Sequence, residues 1–135
     1  MYKASTQVRV RYAETDQMAY VYYGNYATYY EIARVETLRQ LGFNYKKLEQ
    51  EGIMMPVRDL HSEFHKPATY DELLNIEVTI PTLPSARMIF EYKITNEENQ
   101  LVNTGKTTLV FIDMEKQRPT RAPESVLHVL RPFFE

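Results

Sequence analysis

One stretch of helical periodicity stands in a chain whose other apolar residues mostly alternate with a period of two. From Asn25 the residues Tyr26, Tyr29/Tyr30, Ala33, Thr37/Leu38 and Leu41 recur at helical spacing, while Glu31, Arg34, Glu36 and Arg39 supply charged positions. Asn25 has the side chain of an N-cap, and Gly42 follows the last apolar residue as a C′ glycine should. The spacing predicts a helix of about 17 residues. A helix carrying this many aromatic side chains needs a broad apolar surface to cover it, and only strands remain to supply one. Val8, Val10 and Tyr12 alternate with Arg9 and Arg11, which predicts a first strand over Gln7–Tyr12. Ala13 to Gly24 fits neither period and reads as an ordered loop. Tyr45–Gln50 reads as a short helical turn stopped by Gly52, and Ile53–Phe64 as an extended segment closed by Lys66–Pro67. Leu74, Ile76, Val78 and Ile80 alternate up to Pro81, and Met88, Phe90, Tyr92 and Ile94 alternate up to the turn Asn96–Asn99, which leads into Leu101–Asp113 as a hairpin. Gln117–Pro123 reads as a loop, with Pro123 at N1 of a short helix through Leu130. This order gives an α+β fold with the helix against one face of an antiparallel sheet. One helix cannot cover about five strands, and an open sheet edge invites pairing, so a symmetric dimer is the expected completion.

Composition narrows the function. The 135 residues suit one domain, 1–135, because two cores would each be too small to bury enough surface. With 44% hydrophobic and 25% charged residues the chain is ordinary for a globular protein, and a net charge of −2 provides no basic field for nucleic acid. No apolar run approaches the roughly 18 residues of a membrane span, and Met1–Gln7 has no signal-peptide h-region, so the expected location is cytoplasmic. Cys is absent, which removes thiol nucleophiles and thiolate metal sites and leaves oxygen and nitrogen groups to do any chemistry.

Those groups are few. His61 and His65 have the spacing of a zinc helix, but Ser62 stands where that motif requires Glu and the segment reads as strand, so no metal site is expected. No G-x-S-x-G elbow occurs, and Gly24, Gly42, Gly52 and Gly105 are too scattered to cradle phosphate or form a dinucleotide fingerprint, so no nucleotide cofactor is expected. What remains is Asp16, in a loop that soon runs into the start of the long helix, where unpaired N–H groups and the positive end of the dipole collect. Carboxylate plus oxyanion hole is a minimal kit for acyl transfer. From spacing alone, an Asp16 that merely caps its turn while the tyrosines fill a core is the preferred reading.

The segment Tyr12-x-Glu14-Thr15-Asp16, followed by Val21-Tyr22-Tyr23-Gly24-Asn25-Tyr26 and Tyr30-Glu31-Ile32-Ala33-Arg34, resembles the 4-hydroxybenzoyl-CoA thioesterase-like branch of the hotdog-fold acyl-CoA thioesterases, as does Pro67–Leu73. The resemblance spans nearly the whole chain. It implies a hotdog fold, an antiparallel sheet wrapped around a long central helix, with dimers that join their sheets, can pair into tetramers and hold the site at the interface. It also implies hydrolysis of an acyl-CoA or acyl-carrier-protein thioester without a cofactor. Asp16 matches the family's catalytic Asp, and Tyr23 the position whose backbone N–H points at the thioester oxygen. Val21, Gly24, Asn25, Arg58, His65 and Lys66 are the candidates for substrate contact, with the cationic ones suited to the phosphates of CoA. Arg34 and Glu36 match a frequent helix pair, expected to be a structural ion pair. Many relatives carry Gly shortly after the Asp where this chain has Met18-Ala19, and several carry His where Tyr23 stands. The competing reading is a noncatalytic hotdog module that binds an acyl ligand or a protein; hydratase chemistry lacks a His base near the helix.

Overall fold

The computed structural model covers Met1–Glu135. Its strands are β1 (Tyr2–Arg9), β2 (Ile53–Met54), β3 (Val57–Phe64), β4 (Leu73–Ile80), β5 (Arg87–Thr95), β6 (Leu101–Asp113) and β7 (Arg118–Thr120). The helices are α1 (Asn25–Gln40), α2 (Tyr45–Gln50) and α3 (Glu124–Leu130). All strand pairs are antiparallel, in the order β1-β4-β5-β6-β3, and the long β6 runs past its neighbours to pair with β2 and β7 at its far end.

Alternation builds the sheet as the sequence predicts. Leu74, Ile76, Val78 and Ile80 on β4 and Met88, Phe90, Tyr92 and Ile94 on β5 all turn to one face, where they are buried against α1. From the helix, Tyr29, Tyr30, Ala33 and Leu38 enter the same cluster. Tyr30 stacks on Tyr92 with ring centroids 4.3 Å apart. Its hydroxyl reaches Ser62 of β3 at 2.8 Å and Asn103 of β6. This crossing requires Gly105, since a Cβ there would overlap the Tyr30 phenol. α1 thus spans the sheet from β1 to β6 and ends where Gly42 adopts φ +81, the left-handed conformation a C′ residue needs.

Several expectations are corrected. The first strand occupies Tyr2–Arg9 rather than Gln7–Tyr12; Val8 and Val10 are buried as alternation implies, but Tyr12 sits in a 3₁₀ turn and is 78% exposed. Asn25 is the first helical residue, with Gly24 as N-cap, and its side chain is used elsewhere. Ile53–Phe64 is broken at Met55–Pro56 into two strands. The loop before Pro123 contains β7, and Pro123 itself is the N-cap of α3. Glu36 pairs with Arg39, not with Arg34. Arg34 is buried with phenols for partners, its Nε donating to the Tyr45 hydroxyl at 2.8 Å and its NH1 to that of Tyr92 at 3.0 Å. No helix is long and apolar enough to cross a membrane.

Candidate active site

Between β1 and α1 the chain makes a tight, heavily hydrogen-bonded loop. The Asp16 N–H donates to the Tyr20 carbonyl at 2.8 Å, and the Val21 N–H donates to the Ala68 carbonyl at 2.8 Å, with a bridge between Tyr20 and Thr69. These bonds lay the loop against Phe64–Pro67 and enclose a cavity of about 330 Å³ lined by Asp16, Met18, Tyr20, Val21, Tyr23 and Tyr26 on one side and Phe64–Pro67 on the other. Its walls are chiefly apolar. Burial, with smaller contributions from Tyr30 and Glu72, pushes the Tyr26 phenol up to about 12, so it stays protonated at neutral pH.

Asp16 is held by its own turn: Oδ1 accepts the N–H groups of Met18 at 2.9 Å and Tyr20 at 3.2 Å, while Oδ2 has no protein partner. One carboxylate oxygen thus caps the turn and fixes the group, and the other is left without a protein partner. At the helix start the Asn25 and Tyr26 N–H groups bond back to the Tyr22 and Tyr23 carbonyls, whereas the N–H groups of Tyr23 and Gly24 donate to nothing in the protein. Unpaired N–H groups at the head of a 16-residue helix are a place where negative charge is stabilised.

Of the residues singled out in the sequence, Asp16, Tyr23, Val21, His65 and Lys66 meet at this cavity. Gly24 lies outside its lining, pressed against the Tyr22 ring, which a Cβ at Gly24 would approach to 2.8 Å. Asn25 turns away from it, its Nδ2 donating to the Glu14 carbonyl at 2.8 Å. Arg58 lies at the opposite end of β3, paired with Asp59 at 2.9 Å, and about 23 Å from His65 at the usual rise per residue of a strand. His65 bonds Thr104 at 2.9 Å and His61 bonds Glu63 at 3.1 Å; on a strand the two histidines stand about 13 Å apart, too far to share one ion.

Sequence reasoning missed three features. Glu14 joins the loop to α1: its Oε1 accepts the Arg11 N–H and the buried Tyr29 hydroxyl, each at 2.8 Å. Ala19 takes φ +66, so the left-handed position that glycine favours is filled here by alanine. A second cavity, of about 410 Å³, opens between α1 and α2, where Arg34, Tyr45, Glu31 and Glu49 meet Ile53–Val57. Ala19 had a signal, the glycine that relatives carry there, and Glu14 stood in the motif without a role assigned to it; the second cavity had none.

One antiparallel sheet laid across a single central helix, with a cavity at the head of that helix, is the architecture of the hotdog-fold thioesterases. The sequence pattern of the Thioesterase-like superfamily matches residues 10–130, and the chain belongs to that family of thioester hydrolases. It is similar to the Escherichia coli acyl-CoA thioester hydrolase YbgC, 34% identical over 120 residues that cover 89% of this chain and 90% of that protein. The putative acyl-CoA thioesterase YneP of Bacillus subtilis is 31% identical over 119 residues, covering 88% and 86%. Among solved structures, a DHNA-CoA thioesterase from Staphylococcus aureus superposes with a TM-score of 0.88 at 33% identity, covering 100% of this chain and 97% of that one.

Proposed function

We propose that this chain hydrolyses acyl-CoA thioesters in the cavity beside Asp16. The observation that carries the reading is the pairing, at one apolar cavity, of a carboxylate oxygen with no partner and Tyr23, whose N–H group is unbonded at the head of α1. The names of the relatives supply the substrate class.

In this mechanism the thioester carbonyl oxygen lies toward the N–H groups at the head of α1. Negative charge develops on that oxygen as the carbonyl carbon becomes tetrahedral, and N–H groups fixed by the fold stabilise it without reorganising. Asp16 acts by one of two routes. As a general base, its free Oδ2 takes a proton from water, the water oxygen bonds to the carbonyl carbon, and the C–S bond breaks to release CoA as thiolate, which recovers the proton. As a nucleophile, Oδ2 bonds to the carbon itself, thiolate leaves, and water then cleaves the mixed anhydride. In a single turnover in ¹⁸O-water, label in the Asp16 carboxylate identifies the nucleophilic route with water attacking the aspartyl carbon of the anhydride, and trapping the acylated Asp16 by rapid quench detects that route whichever carbon water attacks. Met18, Tyr20, Val21 and Phe64 provide the apolar wall for an acyl group, and Lys66 with His65 stands at the rim where the anionic handle of CoA would pass.

The site is completed by a second copy of the chain. β3 bonds β6 along one edge and nothing along the other, and it exposes Val57, Leu60 and Phe64. Two such edges pair antiparallel about a two-fold axis, which reverses one strand against the other. In the register centred on His61, this pairing sets the partner's Arg58 beside Phe64, a substrate contact that Arg58 cannot make within its own chain. Light scattering at micromolar concentration should show a dimer or a multiple of it, and an active monomer would remove this part.

Release of free thiol from a panel of aliphatic and aromatic acyl-CoA thioesters tests the activity itself. Turnover of at least one class is expected. Binding of acyl-CoA without thiol release would establish the noncatalytic acyl-binding reading instead.

A further inference from the structure

We propose that Glu14 is a positioning residue that locks the Asp16 loop to the head of α1, with the Tyr29 hydroxyl as its buried anchor. The inference rests on the assignment of Asp16 and the helix-start N–H groups given above, and it concerns what keeps those groups at one distance.

Four residues converge on Glu14: Arg11, Tyr22, Asn25 and Tyr29. Its Oε1 accepts the Arg11 N–H and the Tyr29 hydroxyl, both at 2.8 Å, and its Oε2 faces the Arg11 guanidinium at 3.3 Å. Its backbone carbonyl accepts the Tyr22 N–H at 2.9 Å and the Asn25 side-chain amide at 2.8 Å. Tyr29 is fully buried one turn into α1 and Asn25 opens that helix, while Tyr22 precedes the N–H groups of Tyr23 and Gly24. Glu14 is separated from Asp16 by Thr15 alone, whose hydroxyl bonds the Tyr12 carbonyl at 2.8 Å and whose backbone bridges to Val21. Side chain and carbonyl of one residue thus fix both the loop that carries the carboxylate and the helix start that carries the oxyanion donors. None of these atoms lines the cavity, so Glu14 acts through Asp16 and not on the substrate. A buried phenol needs an acceptor, and the Glu14 carboxylate is the acceptor it has. The charge on Glu14 makes that bond strong, but the geometry requires only an oxygen at that place.

Three variants test this on acyl-CoA thioesters, each with folded fraction measured by circular dichroism. Tyr29→Phe keeps the ring and removes the anchor; kcat should fall about tenfold with KM little changed, because misplacement of a reacting group by ~1 Å costs up to about 10² in rate. Glu14→Gln keeps an oxygen acceptor, so it should retain most of kcat and leave the pH profile of kcat/KM unmoved. Glu14→Ala should lose more than Tyr29→Phe. Tyr29→Phe with unchanged kcat and only a lower melting temperature would make the contact purely structural and overturn the proposal. So would Glu14→Gln as inactive as Glu14→Ala beside a fully active Tyr29→Phe, since the charge itself would then do the chemistry. Asp16→Asn run in parallel separates the two levels: if it turns over normally the catalytic assignment fails, whereas an inactive Asp16→Asn beside an unaffected Tyr29→Phe removes only the role given to Glu14.

Discussion

β4 and β3 have the same length and the same extended backbone, yet on β4 every second side chain is buried and on β3 all but Ser62 are exposed. The difference lies in neighbours. β4 is paired on both sides and covered by α1, so its apolar residues are consumed by packing and its polar backbone by the ladder. β3 is paired on one side only, and the loop that packs beside its end holds an unbonded carboxylate oxygen, unbonded N–H groups, a left-handed Ala19 and the exposed rings of Tyr20 and Tyr23. Groups that a folded interior would satisfy are left open at this end. A group already bonded within the protein has little left to offer a substrate, whereas these groups do.

The contrast is broken hardest in the covered region. Phe90→Ala empties a fully buried ring position beneath α1 and should cost about 3–5 kcal/mol by urea denaturation, while turnover per folded molecule is retained. Gly105→Ala attacks the same region by overpacking. Its Cβ meets the hydroxyl end of the Tyr30 ring, which cannot step aside because the ring is stacked on Tyr92 and the hydroxyl is bonded to Ser62 and Asn103, and a loss of about 1–3 kcal/mol is expected. At the open end the sign reverses. Ala19→Gly relieves a left-handed alanine, worth ~1–2 kcal/mol, against the ~0.4–1 kcal/mol that glycine adds to the freedom of the unfolded chain. The variant should be about 0.5 kcal/mol more stable, measured by the same denaturation midpoint. A destabilised Ala19→Gly would show that the loop carries no strain and would blunt the contrast.

Legibility follows the same division. β4, β5 and the end of α1 are readable because strict alternation and a single glycine encode them locally. β1 is only half readable, since its inward positions are Tyr2, Ala4, Thr6 and Val8, too weak an apolar signal to extend the strand toward the terminus. Arg34 is misread as an ion-pair partner of Glu36 because its real partners, Tyr45 and Tyr92, lie on other elements and no local spacing points to them. Asp16 and Tyr23 are legible through a contiguous motif. The cavity around them is not, as its second wall, Phe64–Pro67, is brought up by the Val21–Ala68 and Tyr20–Thr69 contacts across a long stretch of sequence.

In the proposed mechanism the open end of the molecule carries the reaction through Asp16. Asp16→Asn isolates it, because the amide oxygen can still accept the Met18 and Tyr20 N–H groups that hold the turn while the charge is gone. Steady-state thiol release from the best acyl-CoA substrate, at matched folded fraction, should show kcat reduced on the order of 10²-fold or more with the melting temperature unchanged. Wild-type turnover by Asp16→Asn would contradict the catalytic role and leave Asp16 as the cap of its own turn.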